Sequence, residues 1–353
     1  MRNFQKRDFA AISVDGDLLA YVSKGFLRKM RFLWWCRLDH PNSWPIHLGG
    51  WRYLVAPLGW YRCIRRHVKV VGLTVRVSHH TVLVTDTVRG QLVRSSFNQL
   101  GNNSIDKNER FLTRSDSIST PQLLESSQAG PYRFTREQLV DGRELGAHEV
   151  TSTVISGIIE AIAPLYQKTQ SIMKFDPREF VRPYRDSLEA LPDDYYEPLG
   201  VFNDRLCEVM GGFRGCEPRW SEIHGDLTYR NVLQKDEEYF FIDGDRNEVL
   251  FPEIDAMLFT LYLNVFKQYT QPMDYNCYIE HFELLAGEGF RRVLDILYEK
   301  VPEFAGNHVY QRLMECVLLY RLVCLSLFNL LDPEDIVVGA QLLTAANRLA
   351  ETL

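Results

Sequence analysis

The chain has 353 residues, room for about two domains at ~150 residues each, and either could bury a core of its own. Its 46% apolar and 24% charged residues exclude a disordered or fibrous chain and suit a soluble globular enzyme. The net charge of −6 is uneven, because residues 1–70 hold thirteen Lys and Arg against four Asp, a net +9, so the rest carries −15.

Residues 1–70 interleave these cations with Trp34, Trp35, Trp44, Trp51 and Trp60, as in FLRKMRFLWWCRL and GGWRYLVAPLGWYRCIRRH. Such a segment suits either a membrane interface or an anionic partner, or else a small subdomain whose tryptophans are core. From Val68 to Val93 come short β-branched runs, VKVVGLTVRV, TVLVTDTV and GQLVR, whose period-two alternation predicts a small antiparallel sheet. A polar stretch, SFNQLGNNSIDKN, leads to ERFLTR, read as a short helix, then to a turn at Pro121 and an extended segment, YRFTREQLVDG. Beyond Gly142 the spacing becomes helical, with Val154, Ile158, Ile159 and Ile162 on one face. The last hundred residues repeat that character in AMLFTLYLNVF, RRVLDILYEKV, RLMECVLLYRLVCLSLFNLL and VVGAQLLTAANRLAETL. Between the helical blocks lie two strand-like pieces, NVLQK and EYFFIDGD.

Three segments follow: an N-terminal extension over 1–70, a sheet domain over 71–142 and a helical domain over 143–353. The cysteines at 36, 63, 207, 216, 277, 316 and 324 form no CxxC pair, which reads as reduced thiols and a cytoplasmic compartment. No run of eighteen uncharged apolar residues occurs, and Met1 to Ala10 carries four charges, so neither a membrane span nor secretion is expected.

Chemistry concentrates in His224-Gly225-Asp226-Leu227-Thr228-Tyr229-Arg230-Asn231, which sets an Asp and an Asn five positions apart just before a strand. Twelve residues past Asn231 the next strand ends at Asp243, so a hairpin would bring Asp226, Asn231 and Asp243 to one mouth. Phosphoryl transfer uses such a set: a carboxylate for the proton of the attacking hydroxyl, and hard oxygen ligands to hold Mg²⁺ against phosphates.

HGDLTYRNVL followed by FFIDGDRNEVLFPEIDAML resembles the signature of the aminoglycoside phosphotransferase and choline kinase group, a small-molecule branch of the protein-kinase-like fold. The resemblance spans about Glu222 to Leu258 and implies an α+β, bilobal protein-kinase-like fold, with a small antiparallel-sheet N-lobe and a mostly helical C-lobe. It implies ATP and Mg²⁺ as cofactors, Asp226 as catalytic base, His224 as a support for its loop, and Asn231 and Asp243 as Mg²⁺ ligands. Asp255 matches a later acidic position that braces the catalytic loop, and Asp245 is read as structural, paired with Arg230 or Arg246. In the N-lobe Arg94 stands where related kinases carry the nucleotide-phosphate lysine, and Glu109 where the helical carboxylate partner belongs. Glu137 to Gly142 resembles the hinge, and Lys69 is read as surface.

Three functions compete. The first is a kinase for a hydroxyl on a small molecule, with Asp193, Asp194, Glu253 and Glu303 as acids that would favour a cationic acceptor. A kinase of a membrane-linked glycan, peripheral to the inner face of the membrane through residues 1–70, is the second. A pseudokinase or nucleotide-binding scaffold, suggested by Arg94, is the third. The acceptor is a small molecule or glycan in the first two, and no nucleic-acid partner is expected.

Overall fold

The computed structural model describes residues 73–77, 81–86, 90–96, 99–114, 116–129, 132–188, 196–269, 276–329 and 336–352. Residues 1–70, Lys69, the loop at His79-His80, and Asp193 and Asp194 lie outside them. The chain divides into two compact units. One takes the described residues up to Arg114 with Thr120–Asp141 and Gly244–Arg246, and the other takes Ser115–Ser119, Gly142–Asp243 and Asn247–Leu353.

The first unit is built on a five-stranded antiparallel sheet. Strands β1 (Leu73–Val77), β2 (Thr81–Asp86), β3 (Gln91–Ser96), β4 (Leu123–Ala129) and β5 (Tyr132–Gln138) run in the order β1-β2-β3-β5-β4. Within the β-branched runs Leu73–Val77, Thr81–Asp86 and Gln91–Ser96 form strands, as does YRFTREQ, whereas β4 has the sequence LLESSQA, whose period-two pattern is too weak to announce it. Helix α1 (Gln99–Arg114) has sixteen residues and is much longer than ERFLTR. Its first half is polar because tertiary hydrogen bonds stand in for apolar packing there: buried Asn102 bonds Ser96 and accepts from the Arg133 amide at 3.1 Å. Ile105, Phe111 and Leu112 supply the buried apolar positions.

The second unit is mostly helical. It runs through β6 (Arg143–Glu144), α2 (Ser152–Thr169), β7 (Ser171–Ile172), α3 (Pro177–Leu188), α4 (Tyr196–Gly211) and β8 (Arg219–Ile223). Next come β9 (Val232–Lys235), β10 (Glu238–Phe241), β11 (Glu248–Leu250), α5 (Pro252–Gln268), α6 (Asn276–Leu285), α7 (Glu288–Lys300), α8 (Gln311–Asn329) and α9 (Ile336–Ala350). Thr151 caps α2 by accepting from the Val154 amide, and Ile158, Ile159 and Ile162 are buried on the face that their spacing predicts. Helix α5 is buried nearly all round, from Ile254 to Val265, so it forms the core against which the neighbouring helices pack. Phe202 and Tyr320 stack within 3° of parallel at 6.0 Å, and Trp220 meets Phe251 at 4.6 Å, joining β8 to the start of α5. Strands β9 and β10 form the predicted hairpin, with Val232 opposite Phe241. Among the described residues no helix is long and apolar enough to cross a membrane.

In the first unit, Gly244 opens the short turn Gly244–Arg246 directly against α1, where an added Cβ would lie 2.1 Å from Phe111 Cδ1. Phe111 is 1% exposed and cannot swing away. Gly244→Ala is expected to lower stability by about 1–3 kcal/mol through overpacking, read as a reduced midpoint in urea unfolding; an unchanged midpoint would show that α1 and this turn do not pack as described.

Candidate active site

The residues of HGDLTYRN fall in the second unit, on the turn that follows β8. Strand β8 pairs with β11, Ile223 opposite Glu248, which fixes where the turn begins. Gly225 has φ +79°, a left-handed conformation that a side chain would resist, and it swings the backbone out of the strand. The carboxylate of Asp255, in the first turn of α5, then takes both amides of the bend: His224 N–H at 2.7 Å and Gly225 N–H at 2.9 Å. Tyr166 of α2 donates a third hydrogen bond to it at 3.0 Å. Asp255 is fully buried, and burial pushes its carboxyl up from the ordinary range while His224 and these donors pull it back. The expected brace is therefore present.

His224 is fully buried and serves as a strut. Its Nδ1 accepts from the Asp226 amide at 3.3 Å, so Nε2 carries the hydrogen that bonds the Ile242 carbonyl at 2.8 Å. One imidazole thus ties the Asp226 backbone to the residue before Asp243. The next turn, a 3₁₀ turn over Tyr229–Asn231, brings Asn231 back onto Asp226. Asn231 Nδ2 donates to the Asp226 carbonyl at 2.8 Å and to its Oδ2 at 3.3 Å. Two acceptors settle which end of the amide is nitrogen and leave Oδ1 as an oxygen facing away from Asp226. Ile242 N–H donates to the Asn231 carbonyl at 3.0 Å, so the hairpin carries the end of β10 alongside the turn, as the spacing predicts.

Asp243 has φ +60°, an uncommon strained conformation for a residue with a side chain, of the kind that clusters at functional sites. Among the described residues no group of three His, Cys, Asp or Glu side chains is placed to hold a metal. The donor set nevertheless fits Mg²⁺, which is held by one or two carboxylates with phosphate oxygens and water rather than by an all-protein cage. Asn231 Oδ1 and the Asp243 carboxylate are the hard oxygens that would hold it.

Side chains that the motif does not reveal complete the support. Arg321 of α8, 2% exposed, donates to the Gly225 carbonyl at 3.1 Å and pairs with Glu248, and Asn247 donates to the Ile223 carbonyl at 2.7 Å. Arg321 lies inside an apolar helix run, and a charge in such a run is the signal that could have found it. Arg230, exposed, stacks on Phe266 at 4.1 Å from the ring centre instead of pairing with Asp245. In the first unit Asp245 accepts from Ser104 of α1 at 2.9 Å, a structural contact.

Arg94 and Glu109 belong to the first unit, on β3 and α1, but they do not pair with each other. Glu109 Oε2 is bound by Arg133 at 2.6 Å, with Asp106 one helical step away on the same guanidinium. The guanidinium of Arg94, 3% exposed, has its Nε 3.5 Å from Glu137 Oε1, which also accepts from Asn108 at 2.8 Å and Thr135 at 3.2 Å. Strand register explains this exchange of partners. Arg94 lies opposite Thr135, and period two puts Arg133, Thr135 and Glu137 of β5 on that same face. The face of α1 carrying Asp106 and Glu109 meets Arg133, and Asn108 turns toward Glu137.

Of the acids expected to favour a cationic acceptor, Glu253 and Glu303 are among the described residues. Glu303 accepts from Gln167, and Glu253 is fully buried in the first turn of α5. Asn307 and Tyr298 lie near enough to offset the cost of burying Glu253 in part, yet neither carboxylate oxygen closes a hydrogen bond of normal geometry. Burial therefore pushes its pKa up from 4.5 to about 7.

The architecture is that of the protein-kinase-like fold, an α+β arrangement of a small antiparallel-sheet unit and a helical unit. Choline kinase from Cryptosporidium parvum Iowa II is similar in structure, with a TM-score of 0.52 at 14% identity over 81% of this chain and 90% of that one. An apo thermostable mutant of aminoglycoside phosphotransferase APH(4)-Ia gives a TM-score of 0.50 at 13% identity, over 82% of this chain and 97% of that one. At these identities the likeness establishes the fold. No protein-family model and no curated protein sequence matches the chain.

Glu253 yields a pH-dependent prediction. The folded protein keeps its proton up to about pH 7 while the unfolded chain releases it near 4.5, so this group's contribution to stability declines as pH rises between those values. The penalty above the folded value is about 3 kcal/mol by linkage. Glu253→Gln is expected to raise the melting temperature at pH 8 and to change it little at pH 4.5; an equal effect at both would contradict a buried, proton-holding Glu253.

Proposed function

We propose that this protein is an ATP- and Mg²⁺-dependent phosphotransferase that phosphorylates a hydroxyl of a small molecule or sugar. The observation that carries the reading is the turn itself. A carboxylate at Asp226 is held by the Asn231 amide, with its backbone pinned through His224, and Asp255 fixes the bend before it. Nothing in ordinary loop chemistry demands that concentration of buried hydrogen bonds around one partly exposed carboxylate.

Asp226 would accept the proton of the acceptor hydroxyl as its oxygen bonds to the terminal phosphorus and the bond to the leaving diphosphate breaks. Asn231, fixed at its nitrogen end by Asp226, would turn Oδ1 to the metal, and Asp243 would add a carboxylate oxygen. Mg²⁺, when bound, supplies charge neutralisation for the phosphates and the developing leaving group. Asp255, His224 and Arg321 position these groups without touching substrate. Preorganisation of this kind means that the charges and dipoles need not reorient during the reaction.

In the first unit, Arg94 is the proposed contact for the nucleotide phosphates, with Glu137 as the carboxylate that orients it. Glu109 would act on the nucleotide only indirectly, through its hold on Arg133. The kinase reading is favoured over a scaffold because a pure scaffold has no need for a base held between His224 and Asn231.

ADP release measured with a panel of sugars, aminoglycosides and amino alcohols tests the reading. Asp226→Asn is expected to lower transfer by about a thousandfold or more while ATP still binds, and Asp243→Asn to weaken MgATP binding itself. Full turnover by both variants would refute the assignment. Arg94→Lys keeps the charge but loses the planar fork beside Glu137, so a fall in nucleotide affinity of about tenfold is expected in a titration with MgADP. Unaltered affinity would remove Arg94 from the nucleotide site.

A further inference from the structure

Arg230 lies between the proposed base Asp226 and the proposed metal ligand Asn231, inside the 3₁₀ turn, and its side chain is exposed. The turn is pinned, because Asn231 donates back to the Asp226 carbonyl at 2.8 Å, so the Arg230 Cα stays within about 10 Å of that residue. Its guanidinium rests on the Phe266 ring at 4.1 Å and 6.0 Å from the Tyr229 ring, and it makes no ion pair with any described carboxylate. A guanidinium whose central carbon sits over a ring contacts it without using its N–H donors, the part of the group that binds phosphate or carboxylate bidentately.

The ring beneath belongs to a ladder. Phe266 is flanked by Tyr229 at 5.8 Å and Tyr262 at 6.2 Å, and Tyr262 by Tyr278 at 5.0 Å. Tyr262 and Phe266 are four residues apart on one face of α5, and both are partly exposed. A cation over a partly exposed aromatic ladder, in the turn that follows the proposed base, offers the polar and aromatic groups that small-molecule sites use.

Resting on the phosphotransferase reading, we propose that Arg230 selects the acceptor, and that the acceptor is a sugar carrying an anionic group, a phosphate or a carboxylate. The anion takes the guanidinium edge and the apolar face of the sugar ring packs on Tyr262, beside the Phe266 ring that Arg230 covers. A cationic acceptor is disfavoured on two counts. Glu253 is buried and cannot receive it, and an unpaired Arg within about 10 Å repels a positive charge by between about twofold and about twentyfold in affinity. The anionic sugar could be free or could be the head of a lipid-linked saccharide.

Isothermal titration of the full chain in MgADP with glucose, glucose 6-phosphate, glucuronate and kanamycin, and sedimentation with vesicles containing a phosphorylated glycolipid, test the inference. The intact protein is expected to bind glucose 6-phosphate or the glycolipid vesicles better than glucose, and kanamycin least. In Arg230→Gln the ratio of anionic to neutral affinity should fall by about ten- to hundredfold, with Arg230→Lys between. Binding confined to the vesicles would assign the lipid-linked source, and binding of glucose 6-phosphate the free one. Tighter binding of kanamycin, an unchanged ratio in Arg230→Gln, or no binding of any anionic probe would overturn the inference. So would an equal loss of kcat for neutral and anionic acceptors, which would put Arg230 on the transferring phosphoryl group. Transfer to kanamycin would sink this inference and leave the phosphotransferase reading standing. Selective anion binding without transfer to any acceptor would sink the phosphotransferase reading, and acceptor choice by Arg230 with it, leaving Arg230 as an anion-binding residue only.

Discussion

Two consecutive backbone amides, those of His224 and Gly225, meet the carboxylate of Asp255 at the start of α5, and Tyr166 adds a hydroxyl from α2. Amides at a bend leaving a strand have no ladder partner, so without this carboxylate they would be buried donors with nothing to bond. The arrangement joins strand, helix core and the turn from His224 to Asn231 through one fully buried side chain. Everything downstream, from the His224 strut to the Asn231 clasp on Asp226, takes its position from that bend.

Two acids in the first turn of the same helix show how environment separates roles. Asp255 meets three donors, and burial still raises its carboxyl. Glu253, equally buried, closes no hydrogen bond of normal geometry and titrates near neutrality. Of the four acids expected to favour a cationic acceptor, Glu253 faces the interior. Between Asp226 and Asn231 the exposed side chain is Arg230, set over the Phe266 ring.

In the sheet unit the charge pairing is rearranged relative to the expected scheme. Arg94 holds the expected strand and Glu109 the expected helix, but β5 inserts Arg133 and Glu137 on the face between them, and each charged residue takes the nearer partner. Buried charges rarely remain uncompensated, so the pairing follows strand register and not the residue type at a motif position.

The segment from Glu222 to Leu258 was legible as a motif because turn, hairpin and helix start follow one another in one stretch of chain, although their hydrogen bonds span 5, 18 and 31 positions. The antiparallel runs and the apolar helices were legible too, since periodicity records which face is buried. The long α1 and the strand β4 were not, because their stability comes from contacts such as Asn102 with Ser96 and the pairing with β5, which leave no periodic trace. Arg321 bracing Gly225 and Glu137 replacing Glu109 beside Arg94 were likewise hidden. The sequence alone determined the kind of fold and a set of candidate site residues, since both depend on local pattern. Which charges pair, which acids face inward and which cation stays exposed in the turn after Asp226 were decided only by tertiary packing, because burial and register bring together residues that sequence distance keeps apart.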